Sequence, residues 1–128
     1  MKKMIAIFGE SKEGPLHTFI HLRSLPDIVE SFGNPTETGL GIHLAIQALL
    51  FKSDVLFYRL EEEGFQKDTY ELGCHFLEKH PKKEELAAIA LPGVGDTLIL
   101  SFAQKVAAPI GALLLITAKD LYDFTTQR

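Results

Sequence analysis

Tryptophan is absent from this chain of 128 residues, and cysteine occurs once, as Cys74. A lone thiol cannot close an internal bridge, so the chain has no disulfide framework and carries no mark of an oxidising compartment. Long apolar runs are missing as well. Met4–Phe8 is too short for the core of a signal peptide and is followed by Gly9-Glu10-Ser11-Lys12. The run Gly111–Thr117 falls far short of the roughly 20 residues that cross a bilayer. Clustered cations are the third absence. Lys and Arg number 13 against 17 Asp and Glu, a formal net charge of -4, and no basic run exceeds the pairs Lys2–Lys3 and Lys82–Lys83. Nucleic-acid binding draws most of its affinity from cations that neutralise phosphates, so it is not expected. No membrane association is expected either, and the default residence is cytoplasmic.

Apolar residues make up 46% of the chain and charged residues 23%, the balance of a globular protein. The length suits one domain over 1–128 that buries roughly two thirds of its unfolded surface. Short apolar runs alternate with helical periodicity. Met4–Phe8, Asp54–Leu60, Leu86–Leu91 and Ala112–Thr117 are continuously apolar for most of their length, as strands covered on both faces are. The segment His17–Leu22 reads as a further strand paired near the first, with a short helix from Pro15 as the alternative.

Between these runs lie stripes at helical spacing. Leu25, Ile28, Val29 and Phe32 form one, with Ser24 and Asp27 spaced as a capping box and Gly33 at the end. Ile42, Ala45, Ile46 and Leu49 form the next, within a helix Thr38–Phe51 that is apolar round most of its circumference, with Thr36 and Thr38 as candidate caps. Tyr70, Gly73, Cys74 and Leu77 precede Pro81. Ile99, Phe102, Ala103 and Val106 follow Asp96 as N-cap and precede Pro109, and the last helix starts at a capping box of Thr117 and Asp120. Strands alternating with helices predict an α/β fold. The expected form is a three-layer sandwich around a mostly parallel sheet of 4–5 strands, flavodoxin-like or Rossmann-like in general architecture.

In such a sheet, ligands bind outside the strand carboxyl ends. That rule selects the loops holding Glu10, Ser11 and Lys12, then Arg59 and Glu61–Glu63, then Pro92–Thr97, then Thr117, Lys119 and Asp120. Glu10 and Asp96 are the candidate acid/base carboxylates. Ser11, Arg59, Gly93, Gly95, Thr97, Thr117 and Lys119 are the candidate ligand-binding residues. Each has a plainer alternative: Asp96 as a helix cap, Glu10 as a turn residue, Arg59 in an ion pair with one of Glu61–Glu63. The turn around Gly93 and Gly95 is only half of a G-x-G-x-x-G loop, since Leu98 stands at the third glycine position. With the acids gathered at these loops, a simple phosphate ligand is disfavoured.

Other chemistries lack their residues. Glu13, His17 and His21 would form a metal-ligand ladder on a helix but separate on a strand, and no metal site is expected. Adjacent Cys74 and His75 point about 100° apart on a helix and make a poor dyad. His43 and Gln47 share one helix face and suit a pocket or a partner. A phosphoreceiver would need an Asp where Arg59 and Leu60 stand, and a flavin site would need a less acidic loop than Glu10–Gly14. No cofactor is named by any motif. The leading expectation is non-catalytic binding of a small molecule or a protein partner, with a homodimer through the apolar Thr38–Phe51 helix. The alternative is a small hydrolase or transferase using Glu10 and Asp96.

Overall fold

The computed structural model describes residues 3–126, which form one five-stranded sheet flanked by helices. In chain order the elements are β1 (Met4–Glu10), β2 (Phe19–Leu22), α1 (Leu25–Phe32), α2 (Gly41–Leu50), β3 (Asp54–Leu60), α3 (Lys67–Glu78), β4 (Leu86–Ala90), α4 (Thr97–Ile110), β5 (Leu113–Leu115) and α5 (Ala118–Thr126). The strand order is β2-β3-β1-β4-β5. Strands β3, β1, β4 and β5 are parallel, and β2 runs antiparallel on the outer edge of β3. The architecture is therefore α/β and three-layered, as the alternating runs predict.

The continuous apolar runs are explained by the two cores they serve. Successive residues of a strand point to opposite faces. Ala6, Phe8, Leu56 and Tyr58 meet Tyr70, Cys74 and Leu77 of α3 and Ile99, Ala103 and Val106 of α4 on one face. Ile5, Ile7, Val55 and Phe57 meet Ile28 and Phe32 of α1, Ile42, Leu44, Ala45 and Ala48 of α2, and Leu121 of α5 on the other. Both faces of β1 are thus inside, and Ile5 through Phe8 are wholly buried. Close packing also needs Gly73: a Cβ there would lie 2.5 Å from the Phe8 ring and 2.8 Å from that of Tyr58.

Several local expectations are corrected. The strand in His17–Leu22 begins at Phe19, and β3 separates it from β1, because Phe19↔Tyr58 through Leu22↔Val55 pair antiparallel. Ser24 precedes α1 without capping it; Asp27 instead accepts a bond from the Arg23 N–H at 2.9 Å. Leu25 and Val29 of the α1 stripe are 41% and 61% exposed, so only Ile28 and Phe32 serve the core. Neither Thr36 nor Thr38 caps α2, which starts later, at Gly41, and takes its acceptor from elsewhere in the chain. Pro109 lies inside the last turn of α4, which runs on to a left-handed Gly111. The caps expected at Asp96 and Thr117–Asp120 form: Asp96 accepts from Leu98 N–H, Thr117 Oγ1 from Asp120 N–H, and Asp120 from Ile116 and Thr117 N–H.

Candidate functional site at the strand carboxyl ends

The chain leaves β1 over the face of α1 and α2 to reach β3, then crosses by α3 on the opposite face to β4, on the far side of β1. The loops beyond β1 therefore part around its carboxyl end, where open α/β sheets bind their ligands. Here that place is filled by the chain itself. Glu63, which follows β3, is buried, and its carboxylate accepts three backbone N–H groups. Its Oε2 takes those of Glu10 and Gly41, each at 2.8 Å, and its Oε1 that of Leu40 at 2.8 Å.

Leu40 and Gly41 supply N–H groups at the start of α2, which have no partner within the helix and form the positive end of its dipole. In anion-binding folds such groups hold a ligand. Glu63 takes that place as an internal anion and provides the cap that Thr36 and Thr38 do not. Its approach requires glycine on all sides. A Cβ at Gly39 would lie 2.8 Å from Glu63 Oε2, one at Gly41 3.0 Å, and one at Gly9 3.1 Å, with Gly9 and Gly41 backbones also in contact. Burial raises the Glu63 carboxyl above its usual range, the three N–H bonds oppose that rise, and the neighbouring charge of Glu10 adds to it.

The residues selected from the sequence are distributed as follows. Glu10 completes the same knot: its Oε2 accepts from Glu63 N–H at 2.8 Å and its Oε1 from the Thr38 hydroxyl at 3.1 Å. Ser11 is buried and donates to the Glu13 carbonyl at 2.7 Å. Arg59 makes no ion pair with Glu61–Glu63 among the described residues, which corrects that expectation. Its guanidinium donates to the Gly14 carbonyl, and at 3.5 Å to that of Lys12, so it fastens the loop after β1. A planar fork reaches two carbonyls of one loop, a task a carboxylate partner would compete with. Gly93 sits against Glu63 at φ +78, whereas Gly95 has no atom within 4 Å of its Cβ position. Asp96 caps α4, with exposed Thr97 as that helix's first residue. Thr117 caps α5, and Lys119 pairs with Asp123 at 2.7 Å.

Glu10, Arg59, Asp96 and Lys119 are thus each engaged with different neighbours, and no contact joins one of the four to another among the described residues. In the sequence Glu63 stands only as one of three glutamates in the loop after Arg59, a candidate ion-pair partner with no role of its own. The sequence signal for it is indirect: Gly9, Gly39 and Gly41, whose Cβ positions would crowd Glu63 although none of them has a φ that calls for glycine.

The histidines separate. His17 Nε2 bonds Glu61 Oε1 at 2.8 Å, and His21 Nε2 bonds Asp54 Oδ2 at 3.0 Å. Among the described residues no group of three or more His, Cys, Asp or Glu is placed to hold a metal ion. Cys74 is buried with a thiol pushed up to about 12, first by burial and then by Glu78 and Glu71, while His75 is exposed. A thiol so reluctant to ionise is a poor nucleophile. Gln47 keeps its Nε2 buried with no partner, and His43 beside it on α2 is exposed. No helix among the described residues is long and apolar enough to cross a membrane.

No protein-family model matches the chain, and comparisons with curated proteins and with solved structures returned no match.

Proposed function

We propose that this chain is a non-catalytic binding domain whose partner surface is the outer face of α1, α2 and α5, and whose partner there is a second copy of the chain. The observation that carries the non-catalytic reading is the knot of Glu63 and Glu10. The carboxylates that would act as acid or base at the strand ends already accept backbone N–H groups, and the anion position at the start of α2 is filled. Asp96 is likewise engaged as a helix cap.

The surface follows from what the fold leaves outside. Val29 and Leu25 on α1 border a groove with Ile46 of α2. Leu50, one turn further along α2, is 63% exposed, and Phe51 beside it meets the exposed ring of Tyr122 on α5 edge-on, centroids 6.5 Å apart. These residues put exposed apolar side chains on each of three helices, and gathered apolar exposure of this kind marks an interaction surface. Charge favours a second copy as the occupant. The ten residues of α2 include no Asp, Glu, Lys or Arg, in a chain of net charge -4. Two acidic molecules therefore meet along α2 without a charge on that helix, while Asp27 and Glu30 of α1 and Asp120 and Asp123 of α5 lie on the flanking helices.

Sedimentation equilibrium tests the reading. A concentration-dependent dimer that Leu50→Glu converts to a folded monomer supports it. A wild-type chain that stays monomeric at high concentration removes the second copy as partner.

A further inference from the structure

We propose that the groove between β2 and α3 is a binding site for a small flat heteroaromatic ring that carries a hydrogen-bond donor on one edge and an acceptor on the opposite edge. The groove is shallow and open to solvent, offers about 330 Å³ and is lined by His17, Thr18, Phe19, Phe76 and His80. That volume lies at the lower end of ligand cavities, roughly 300–1,000 Å³. It stands apart from the Glu63 knot and from the face assigned to a second copy.

Four of the five lining residues are rings. They continue a row of aromatic contacts in which His17 stacks on Tyr58 at 6.2 Å, Tyr58 tilts on Phe19 at 4.9 Å, and Phe19 meets His80 edge-on at 6.1 Å. His17 and His80 are the two ends of that row. Phe76, 43% exposed, adds a free ring face at the mouth. Such walls favour a flat aromatic guest, because rings stack offset or edge-to-face on rings.

The hydrogen bonds at the two ends assign different roles to the two imidazoles. His17 Nε2 donates to Glu61 Oε1, so in the neutral ring Nδ1 is the acceptor. The bond from His17 lowers Glu61 and keeps that carboxylate ionised as its acceptor. His80 shows the reverse pattern. Its Nδ1 accepts the Lys82 N–H at 3.1 Å, which places the proton of the neutral ring on Nε2. Burial, with Lys82 and then His21 adding to it, lowers His80 and favours that neutral form. One end of the ring row therefore offers an acceptor and the other a donor, and no bond among the described residues claims either atom. The remaining polar group, the Thr18 hydroxyl, is occupied by the Leu16 carbonyl at 3.2 Å.

The backbone fixes the place of the His17 ring. His17 is a non-glycine residue at φ +57, held there by its N–H bond to the Arg59 carbonyl at 3.1 Å. Lys52 and Gln66 share this conformation elsewhere in the chain, and histidine adopts it more readily than most residues. Here it places the ring at the head of β2 and over Tyr58.

The probe is 4-pyridone, whose ring N–H and carbonyl lie on opposite edges, with N-methyl-4-pyridone as the ligand that lacks the donor. Both are titrated into the full chain while the imidazole nitrogens are followed by ¹⁵N-edited NMR. The expected result is a saturable shift of His17 Nδ1 and His80 Nε2 with 4-pyridone, about tenfold weaker binding of the N-methyl compound, and about tenfold weaker binding by Phe76→Ala. The Phe76 side chain is exposed, so that variant keeps its fold, which its backbone spectrum verifies. Equal binding of the two pyridones overturns the proposal, as does the absence of any saturable shift at the two imidazoles. Neither result bears on the dimer, which is read separately by sedimentation.

Discussion

Glu10 and Glu63, 53 residues apart, each donate a backbone N–H to the other's carboxylate at 2.8 Å. This reciprocal bracket ties the end of β1 to the loop after β3. The second and third N–H groups on Glu63 carry the tie to α2. Two neighbouring carboxylates repel, and the charge of Glu10 does raise the Glu63 carboxyl. Here each has a donor on the other's backbone, so the repulsion is offset by charge-assisted hydrogen bonds.

Removing the Glu63 carboxylate leaves three N–H groups inside the knot without an acceptor. Glu63→Ala is expected to lower stability by about 3 kcal/mol, since each unsatisfied buried donor costs ~1–3 kcal/mol and water re-enters the space in part. Urea denaturation measures it. A loss within error of zero would show that the knot contributes nothing.

The same residue gives a pH dependence of defined sign. Burial raises Glu63 above the 4.5 usual for a glutamate, so the folded chain holds this proton more tightly than the unfolded one. The stabilisation from that difference is complete below pH 4.5 and is lost as pH rises through the folded value. Glu63→Gln has no such proton. The stability of the wild type relative to Glu63→Gln is therefore expected to fall as pH increases above 4.5, measured as the difference in denaturation free energy. A difference that grows with pH contradicts the assignment.

Asp96 separates a cap from a catalyst. Asp96→Ala is expected to destabilise the fold by about 1 kcal/mol through loss of the bond to Leu98 N–H, and Asp96→Ser to restore most of it, because serine caps comparably. Thermal unfolding of the two variants reads the result. Equal loss in both would rule out the capping role.

Arg59 is expected to act on loop order more than on the core. Arg59→Lys retains the charge but not the planar fork that reaches the Gly14 and Lys12 carbonyls. Hydrogen exchange should quicken at the amides of residues 12–14 while β3 stays protected. Unchanged exchange in that loop would mean that other contacts hold it.

On the proposed dimer face, Val29→Glu is expected to match Leu50→Glu. Both side chains are more than half exposed and outside the core, so a charge there should abolish self-association and leave the unfolding midpoint of the monomer nearly unchanged. Light scattering and chemical denaturation together report the two effects. Unimpaired association in both variants would exclude this stripe as the contact.

Much of the fold was legible because its signals are local. Asp54–Leu60 is a strand with the very bounds of its apolar run, since continuous apolarity over that length needs two covered faces. The caps of α4 and α5 were legible for the same reason, as donor and acceptor lie within four residues of each other. The partner of β2 was not. Phe19–Leu22 has the composition of a strand, but its pairing with Tyr58 rather than with β1 depends on which edge the loop through Gly14 can reach.

The candidate site divides along the same line. By itself the amino-acid sequence determined an α/β layering, the lack of any long run of Lys or Arg, and the gathering of acids at the strand ends, because composition and periodicity are properties of neighbouring residues. Only the tertiary structure decided what those acids do. Glu61, Glu62 and Glu63 are alike in sequence, yet one holds His17, one is exposed, and one is buried among backbone N–H groups from β1 and α2. That choice is made by donors 22 to 53 residues away, beyond the reach of any local pattern. The donors come within reach only when β1, β3 and α2 pack at one end of the sheet.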